Sequence, residues 1–155
     1  MLTFLEIIRT ILLLLITVFT AYIAHLLYQA NKDKSKAGIR EKRLGIYNEV
    51  VRILTLITRD GDISSEELLS FRSKTHESNF LFEKDVADYI NEIYARGLKL
   101  RNTNSLLKSA ALSIGEDRDN VTVENSKQLI WLADQLPYVK KKFEKYLSLD
   151  VSSVG

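Results

Sequence analysis

TILLLLITVFTAYIAHLLY, residues 10–28, is an apolar run without Asp, Glu, Lys or Arg, in which His25 is the one histidine. As a helix, a run of about 20 such residues is long enough to span the hydrocarbon core of a bilayer. A cleaved signal peptide would have a shorter apolar region and small residues at its cleavage site. Here Tyr22 lies two residues before Ala24, where such a site requires a small residue. The run therefore predicts a retained transmembrane helix.

Basic residues are concentrated directly after this run. Only Glu6 and Arg9 carry charge before it, whereas residues 32–43 contain six basic and two acidic side chains. Lysine and arginine near a span stay on the cytoplasmic side. This asymmetry predicts a single-pass protein with its N-terminus outside and its C-terminal part in the cytoplasm. The six basic residues, called the basic collar below, are Lys32, Lys34, Lys36, Arg40, Lys42 and Arg43.

The basic collar allows two interpretations. It is a candidate contact for anionic lipid, worth about 1 kcal/mol per well-placed basic residue. Alternatively, it serves only as a topology signal. Residues 44–155 carry 15 basic and 17 acidic side chains, so the net charge of the whole chain, +2, owes its sign to the collar. In either case the lipid bilayer is a predicted partner.

Small residues recur with helical spacing within the apolar run. Thr17 with Ala21, and Thr20 with Ala24, form two overlapping pairs of residues four apart. Small residues at this spacing let two membrane helices approach closely. These four residues are therefore the candidate helix–helix face, and they make self-association a prediction. His25 is expected to lie near the cytoplasmic interface of the membrane. This interpretation is preferred to a role of His25 in proton relay.

The rest of the chain predicts a small bundle of about four helices. One proline and six glycines in the whole sequence argue against a loop-rich or all-β fold. A first helix is expected over about 39–58, because apolar residues recur there every three or four positions. Whether the collar is itself helical stays open. The predicted apolar face of this helix consists of Leu44, Tyr47, Val51, Leu54 and Ile57.

A turn is predicted at residues 60–62, and a second helix is predicted to begin at Ser65. Ser64 and Glu67 have the spacing of a capping box. In such a box the hydroxyl accepts from the third N–H of the helix, and the glutamate reaches back to the capping residue. The residues in position for the accompanying hydrophobic staple are Ile63 and Leu68.

The same turn is similar to the second half of a calcium-binding EF-hand loop. With Gly61 at position six, however, Leu56 and Thr58 fall at positions one and three, where aspartates should supply the first ligands. A metal-binding regulator at residues 60–67 is thus the alternative to a purely structural turn, which is preferred. If the turn is structural, Asp62→Asn is expected to be nearly silent.

Two further helices complete the predicted bundle, one over 83–107 and one over 122–147. Pro137 must kink the last helix or divide it in two, because proline lacks a backbone donor. The polar residues 113–120 predict a loop between these two helices. The residues expected to lie in the core between the second and third helices are Phe80, Leu81 and Phe82.

Patterns that carry chemistry are missing from the sequence. The chain has no cysteine, so disulfides and thiolate metal sites are excluded. A di-metal carboxylate bundle requires Glu-x-x-His pairs, but Ser73 stands three places before His76. The charged ridge Asp85, Asp88 and Glu92 is typical of a solvated helix face. We therefore expect a non-enzymatic protein with no cofactor and no small-molecule substrate.

The basic residues 140–142 and Lys145 lie among aromatic residues near the C-terminus. This pattern fits the solvated and buried faces of a terminal helix, which is the preferred interpretation. Contact with lipid head groups is the second interpretation. Binding of nucleic acid is the third, and it is not expected.

Three segments after the apolar run, together with the late tryptophan, form a recognisable pattern: IYNEVVRILTLITRDGDISSEELLSFRSKTHESNFLF, VADYINEIYARGLKLR and KKKFEKYLSL. In these segments the soluble part resembles a family of small, uncharacterised bacterial helical proteins. Members share a helix, a DG-I-S turn, a phenylalanine-rich knot and a closing aromatic helix, often behind one membrane span. The resemblance covers residues 43–149 and implies a helical fold and a bacterial inner membrane; it transfers no activity and no catalytic residue.

These features predict an all-α protein with four segments. They are a transmembrane anchor (1–30), the basic collar (31–43), a cytoplasmic helical domain (44–149) and a tail (150–155). The predicted function is a non-enzymatic, membrane-anchored protein-interaction module or complex subunit, with another protein or a second copy as its partner. The alternatives are a peripheral lipid-sensing element that uses the collar and a metal-binding regulator at the 60–67 turn.

Overall fold

The computed structural model describes residues 2–109 and 115–147, apart from the side chains of residues 2, 5 and 33. All regular structure in these ranges is helical, which confirms the all-α fold class. The predicted tail, 150–155, and residues 113–114 of the predicted loop lie outside the described residues. The helices are α1 (Leu2–Asp60), α2 (Ser65–Thr75), α3 (Ser78–Leu81), α4 (Lys84–Lys108), α5 (Glu116–Asp134) and α6 (Leu136–Leu147).

The chain divides into two compact units, residues 1–39 and 40–155, and α1 contributes to both. The collar is helical, since it lies within α1. The second unit begins at residue 40, inside the collar. Lys42 and Arg43 of the collar contact residues of this unit outside α1.

In the first unit, α1 exposes its described apolar side chains. Among the described residues it is the one helix that is long and apolar enough to cross a membrane. The hydroxyls of Thr17 and Thr20 donate to the carbonyl oxygens of Leu13 and Ile16, over 2.5 and 2.6 Å. Both hydroxyls are therefore satisfied within the helix, as an apolar solvent requires.

In the second unit, α1 packs one face into the core. Leu44, predicted to belong to that face, is 46% exposed, so this prediction is wrong. Tyr47 and Val51 are only partly buried. The buried face follows the same helical period but is rotated from the predicted one, because packing against the other helices selects between two similar apolar patterns. The buried residues of α1 with the least exposure are Ile46, Val50, Ile53, Leu54 and Ile57.

The turn after α1 has the predicted local structure. Gly61 adopts a left-handed conformation, with φ of 64°, and its N–H donates to the carbonyl oxygen of Ile57 over 2.9 Å. This is a common way for a helix to end. The second helix then begins where predicted, and the Ser64 hydroxyl accepts from the backbone N–H of Glu67 over 3.1 Å. Both residues of the predicted staple are buried, namely Ile63 and Leu68.

The phenylalanine-rich segment forms α3 and the residue that follows it. Phe82 is buried, and its ring meets those of Phe143 and Tyr146 edge-on, with centroids 5.2 and 5.1 Å apart. Leu81 is partly buried. Phe80, predicted to lie in the core, is 88% exposed, so that prediction is wrong. Consecutive residues on one turn of a helix point in different directions and cannot all face the core.

Helices α4 and α5 form an antiparallel pair joined by polar contacts. Asn125 donates to the hydroxyl of Thr103 over 2.8 Å, and Arg96 donates to Gln128 over 3.2 Å. Because α5 already begins at Glu116, the predicted loop is wrong for residues 116–120. Acidic residues stabilise a helix N-terminus through the helix dipole. The first turn of α5 carries three of them, Glu116, Asp117 and Asp119.

Pro137 divides the last predicted helix into two. A kink and a division were the two predicted outcomes, and the division is the one observed. Helix α5 ends at Asp134, and α6 begins at Leu136. Pro137 lies in the first turn of α6, where a backbone N–H would have no partner within the helix. Val139 and Phe143 of α6 are buried and close the core.

Candidate functional site

The second unit has an end at which the chain enters it, called the entry end below. Lys42 donates to Glu77 over 2.8 Å, and Arg43 donates to the carbonyl oxygen of Leu81 over 2.9 Å. The hydroxyl of Tyr146, on α6, accepts from the backbone N–H of Glu83, which follows α3, over 3.1 Å. The entry end thus consists of residues 40–43, residues 77–85 and α6.

The opposite end of this unit, called the far end below, joins the last turns of α1 and α4 to the start of α5. Asn104 donates to the carbonyl oxygen of Gly61 over 3.1 Å, and Arg118 donates to that of Leu107 over 3.3 Å. The two ends differ in charge. Helix α6, at the entry end, carries four lysines and one glutamate, whereas residues 115–120, at the far end, carry three acidic residues and one arginine.

Arg43 is the collar residue whose contacts reach furthest into the second unit. Besides its hydrogen bond to Leu81, its guanidinium group lies 5.2 Å from the ring centroid of Tyr146 and 6.0 Å from that of Phe82. Such cation–π contacts stabilise a fold more when the ring is buried. Arg43 therefore joins α1 to α3 and α6, a role that its position in a charge run did not reveal. The collar residues that remain exposed are Lys32, Lys34, Lys36, Arg40 and Lys42.

A cleft of about 500 Å³ opens beside α6 at the entry end. Lys145 pairs with Glu83 at its rim. The Lys142 ammonium lies 5.7 Å from the ring centroid of Tyr89. Burial, with a smaller contribution from the charge of Glu92, raises the pKa of Tyr89 to about 12. The lining comes from Tyr138, Lys141, Lys142 and Tyr146 on one side and from Glu83 and Asp85 on the other.

Asp62, at the centre of the possible calcium loop, is held by two side-chain donors from α4 and by one backbone donor from the turn itself. Its Oδ1 accepts from Asn104 over 2.7 Å and from the N–H of Ile63 over 2.8 Å, and its Oδ2 accepts from Lys108 over 2.6 Å. Burial alone would raise the pKa of Asp62, but Lys108, Asn104 and the Ile63 N–H together lower it below its usual value. These contacts explain Asp62 as a structural residue, and they contradict the expectation that Asp62→Asn is silent.

The Lys108 ammonium contacts Oδ2 of Asp62, so this oxygen already has a cationic partner. In the ranges 2–109 and 115–147, no three histidine, cysteine, aspartate or glutamate side chains are grouped so that they could hold a metal ion. The geometry of the turn thus favours the structural interpretation of residues 60–67 over the metal-binding one.

Glu67 forms only one half of the predicted capping box. Its backbone N–H donates to Ser64, but its carboxylate contacts Arg52 over 2.7 Å and does not reach back to the capping residue. Arg52 also contacts Glu49 over 2.7 Å. A charged partner on α1 competes successfully with the neutral N–H because charge-assisted hydrogen bonds are stronger. The capping box prediction is correct for Ser64 and wrong for the Glu67 side chain.

Glu49 is a buried acid that the sequence analysis missed. It is 6% exposed, and Arg52 and Lys74 donate to its carboxylate, the latter over 3.3 Å. Burial alone would raise the pKa of Glu49, but these two cations lower it below its usual value. Once Ile46 and Val50 are placed on the buried face, helical spacing puts Glu49 at the edge of that face, so the signal was present in the sequence.

The outer face of α5 carries large apolar side chains outside the core. Val123 and Ile130 are 68% and 61% exposed. They are seven positions apart, so they lie on the same side of the helix, and the exposed Lys127 lies between them. The inner face of the same helix instead places Trp131 over the guanidinium group of Arg96, at 4.1 Å from the ring centroid.

The four candidate residues of the helix–helix face lie on one side of α1. Their helical angles fall within about 100° of one another. All four side chains are exposed in the first unit: Thr17, Thr20, Ala21 and Ala24. Self-association through this face stays a prediction.

No family model, curated protein or solved structure matches the chain. The family resemblance seen in the sequence therefore stays a prediction.

Proposed function

We propose that this protein is a membrane-anchored protein-interaction module. The apolar run 10–28 spans a bacterial inner membrane, the N-terminus lies outside, and the second unit binds a partner protein in the cytoplasm through the outer face of α5. The observation that carries the proposal is the exposure of Val123 and Ile130 on one face of a helix whose opposite face is packed.

The exposed residues Val123 and Ile130 lie outside the core of the second unit. Its buried apolar residues come from α1, α2, α4, α5 and α6, so the unit fills its core with its own side chains. Burial of apolar surface stabilises an association by about 25 cal/mol per Å² before the entropic costs of binding. A helix that presents apolar residues two turns apart matches the way in which helices dock against partner helices or grooves.

The anchor and its orientation are supported by separate observations. The helix that contains the apolar run leaves it wholly exposed, and its threonine hydroxyls are satisfied internally. The exposed lysines Lys32, Lys34 and Lys36 follow the run directly. Their positive charge favours retention on the cytoplasmic side.

The α5 contact is tested by photo-crosslinking of the full-length protein in cells. A photoreactive amino acid replaces Lys127, between the two apolar residues, or the exposed Lys99 on α4 as the control. We expect a discrete adduct from position 127 and none from position 99. The double substitution Val123→Lys with Ile130→Lys should abolish the adduct, since it places two charges in the contact.

The mass of the adduct distinguishes the partners. An adduct of twice the mass of the chain identifies a second copy as the partner. An adduct of any other mass identifies a different protein. If position 127 gives no adduct, or if the adduct survives the double substitution, the α5 face is not the binding surface.

A further inference from the structure

The entry end of the second unit combines an exposed aromatic residue with lysines. We propose that this end is a membrane-contact face: Phe80 enters the interface of an anionic bilayer, and Lys140 and Lys141 bind the phosphate-bearing head groups. The proposal rests on the membrane span of the proposed function but is independent of the α5 contact.

Phe80 is held outward by the structure around it. It is 88% exposed, the largest value among the exposed large apolar side chains of the described residues. The chain is held in place before and after Phe80, because Glu77 pairs with Lys42 and the carbonyl oxygen of Leu81 accepts from Arg43. An apolar side chain presented in this way on a fixed turn has no core function, whereas insertion at a lipid interface would bury it.

Along the chain, the entry end is the part of the second unit that follows the apolar run most closely. The apolar run ends at Tyr28 and the second unit begins at residue 40, so eleven residues, 29–39, separate them. The entry end is thus the part of the unit that is nearest to the bilayer along the chain. The far end, with the acidic start of α5, is the part that an anionic surface would repel.

Charge at the entry end complements anionic lipid. Lys140 and Lys141 of α6 are exposed, and Lys141 lines the cleft together with Tyr138, which is 60% exposed. Tyrosine is favoured at membrane–water interfaces because one end of the side chain is apolar and the other polar. Basic residues near the surface of the cytoplasmic leaflet are attracted by its negative potential.

A second copy of the chain is a poorer occupant of this face than lipid. In a two-fold dimer the same surface contributes from both sides, so the lysines of α6 would face one another. Like charges in an interface disfavour association. An anionic bilayer instead neutralises the lysines and accepts Phe80 in the same contact.

The test uses the full-length protein in lipid nanodiscs. The chain contains no cysteine, so single-cysteine variants can be labelled at one site. An environment-sensitive fluorophore is attached at Asn79→Cys, which keeps Phe80, or at Asn120→Cys near the far end as the matched control; both asparagines are exposed. Quenching by spin-labelled lipid head groups is measured in phosphatidylcholine discs and in equimolar phosphatidylcholine and phosphatidylglycerol discs.

We expect several-fold stronger quenching at position 79 than at position 120 in the anionic discs. Phe80→Ser should weaken the quenching at position 79, whereas Val123→Ser, a matched loss of an exposed apolar side chain, should leave it unchanged. Lys140→Glu with Lys141→Glu should weaken it in anionic discs only. Circular dichroism of each variant confirms that the helices remain, since all the substituted side chains are exposed.

Equal quenching at the two positions, or quenching at position 79 that is insensitive to Phe80→Ser, would overturn the proposal. Quenching that does not depend on anionic lipid or on the two lysines would overturn the assigned role of charge. If the protein fails to enter nanodiscs at all, the membrane span of the proposed function is wrong. A protein that enters the discs without quenching at position 79 refutes only the membrane-contact face.

Discussion

Asp62 shows at the scale of a single residue how the second unit holds its far end together. Its carboxylate accepts from Asn104 and Lys108 on α4 and from the N–H of Ile63 next to α2. The end of α1, the start of α2 and the end of α4 thus meet at one acidic side chain. Removal of its charge should therefore lower the stability of the unit, although the side chain is 37% exposed and its ion pair is weakened by solvent.

We predict that Asp62→Asn destabilises the unit by about 1 kcal/mol at neutral pH, because the ion pair with Lys108 is lost and a carboxamide has one accepting oxygen where the carboxylate accepts on both. The folded-state pKa of Asp62 is lowered, so its contribution is present above the unfolded-state pKa, about 3.9. That contribution is lost as the pH falls through the folded-state pKa. Urea unfolding of fragment 37–155 at several pH values measures the difference.

The control for this prediction is Asp60→Asn, since Asp60 contacts the neighbouring Arg59 on the surface. It should leave the free energy of unfolding almost unchanged. If Asp62→Asn is equally silent, or if the gap between Asp62→Asn and the original protein widens at acidic pH, the structural account of Asp62 fails.

The capping residues make a second prediction at this scale. Ser64→Ala should cost about 1 kcal/mol, because the backbone N–H of Glu67 loses its acceptor. A double-mutant cycle should find Glu67→Ala coupled to Arg52→Ala, whose side chains are in contact, and additive with Ser64→Ala. Coupling of Glu67 to Ser64 in place of Arg52 would restore the reciprocal capping box and contradict the geometry seen here.

At the scale of the elements, α2 and α4 approach each other closely at Gly97. A Cβ added there would lie 2.8 Å from Cδ2 of the buried Leu68, whereas a Cβ added at Gly45 of α1 would meet nothing within 4 Å. We predict that Gly97→Ala destabilises the unit by about 1 kcal/mol, since overpacking exceeds the gain in helix propensity. Gly45→Ala should stabilise it by about 0.5–1 kcal/mol.

Thermal unfolding of the two alanine variants side by side checks this prediction, because both replacements change helix propensity by the same amount. A stabilising Gly97→Ala would mean that α2 and α4 pack less closely than the structure indicates.

Helix ends were more predictable from the sequence than helix faces. The start of α2 and the division at Pro137 depend on capping and proline geometry, which act within a few residues and leave a local signal. The rotation of α1 that buries Ile46 and exposes Leu44 is selected by contacts with other helices, which the local pattern does not encode. The start of α5 at Glu116 was missed because its acidic residues suit both a polar loop and a helix N-terminus.

The candidate site was less predictable than the fold, because its contacts join residues far apart in the chain. Lys108 binds Asp62 across 46 positions, and Arg43 binds Leu81 across 38. No sequence spacing specifies such pairs. The basic collar was recognised as a charge run, yet the run could not show that Arg43 packs between α1, α3 and α6 while Lys32, Lys34 and Lys36 stay exposed.

At the scale of the whole molecule, the two units of the chain differ in whether their apolar side chains are exposed or buried. The first unit exposes an apolar helix that an aqueous solvent would not tolerate, and the second buries its own apolar core. In the proposed function the bilayer covers the first unit, and the second is left with two distinct surfaces, the entry end and the outer face of α5.

Membrane anchoring with the second unit in the cytoplasm is the central claim, and cysteine labelling of intact cells tests it most directly. The chain lacks cysteine, so Thr3→Cys provides one reactive site before the apolar run, and Lys99→Cys, at an exposed position outside the α5 face, provides one after it. We expect a membrane-impermeant maleimide to label position 3 in intact cells and position 99 only after the cells are permeabilised, with the protein retained in carbonate-washed membranes. Labelling of position 99 in intact cells with position 3 protected, or release of the protein by carbonate, would contradict this anchoring.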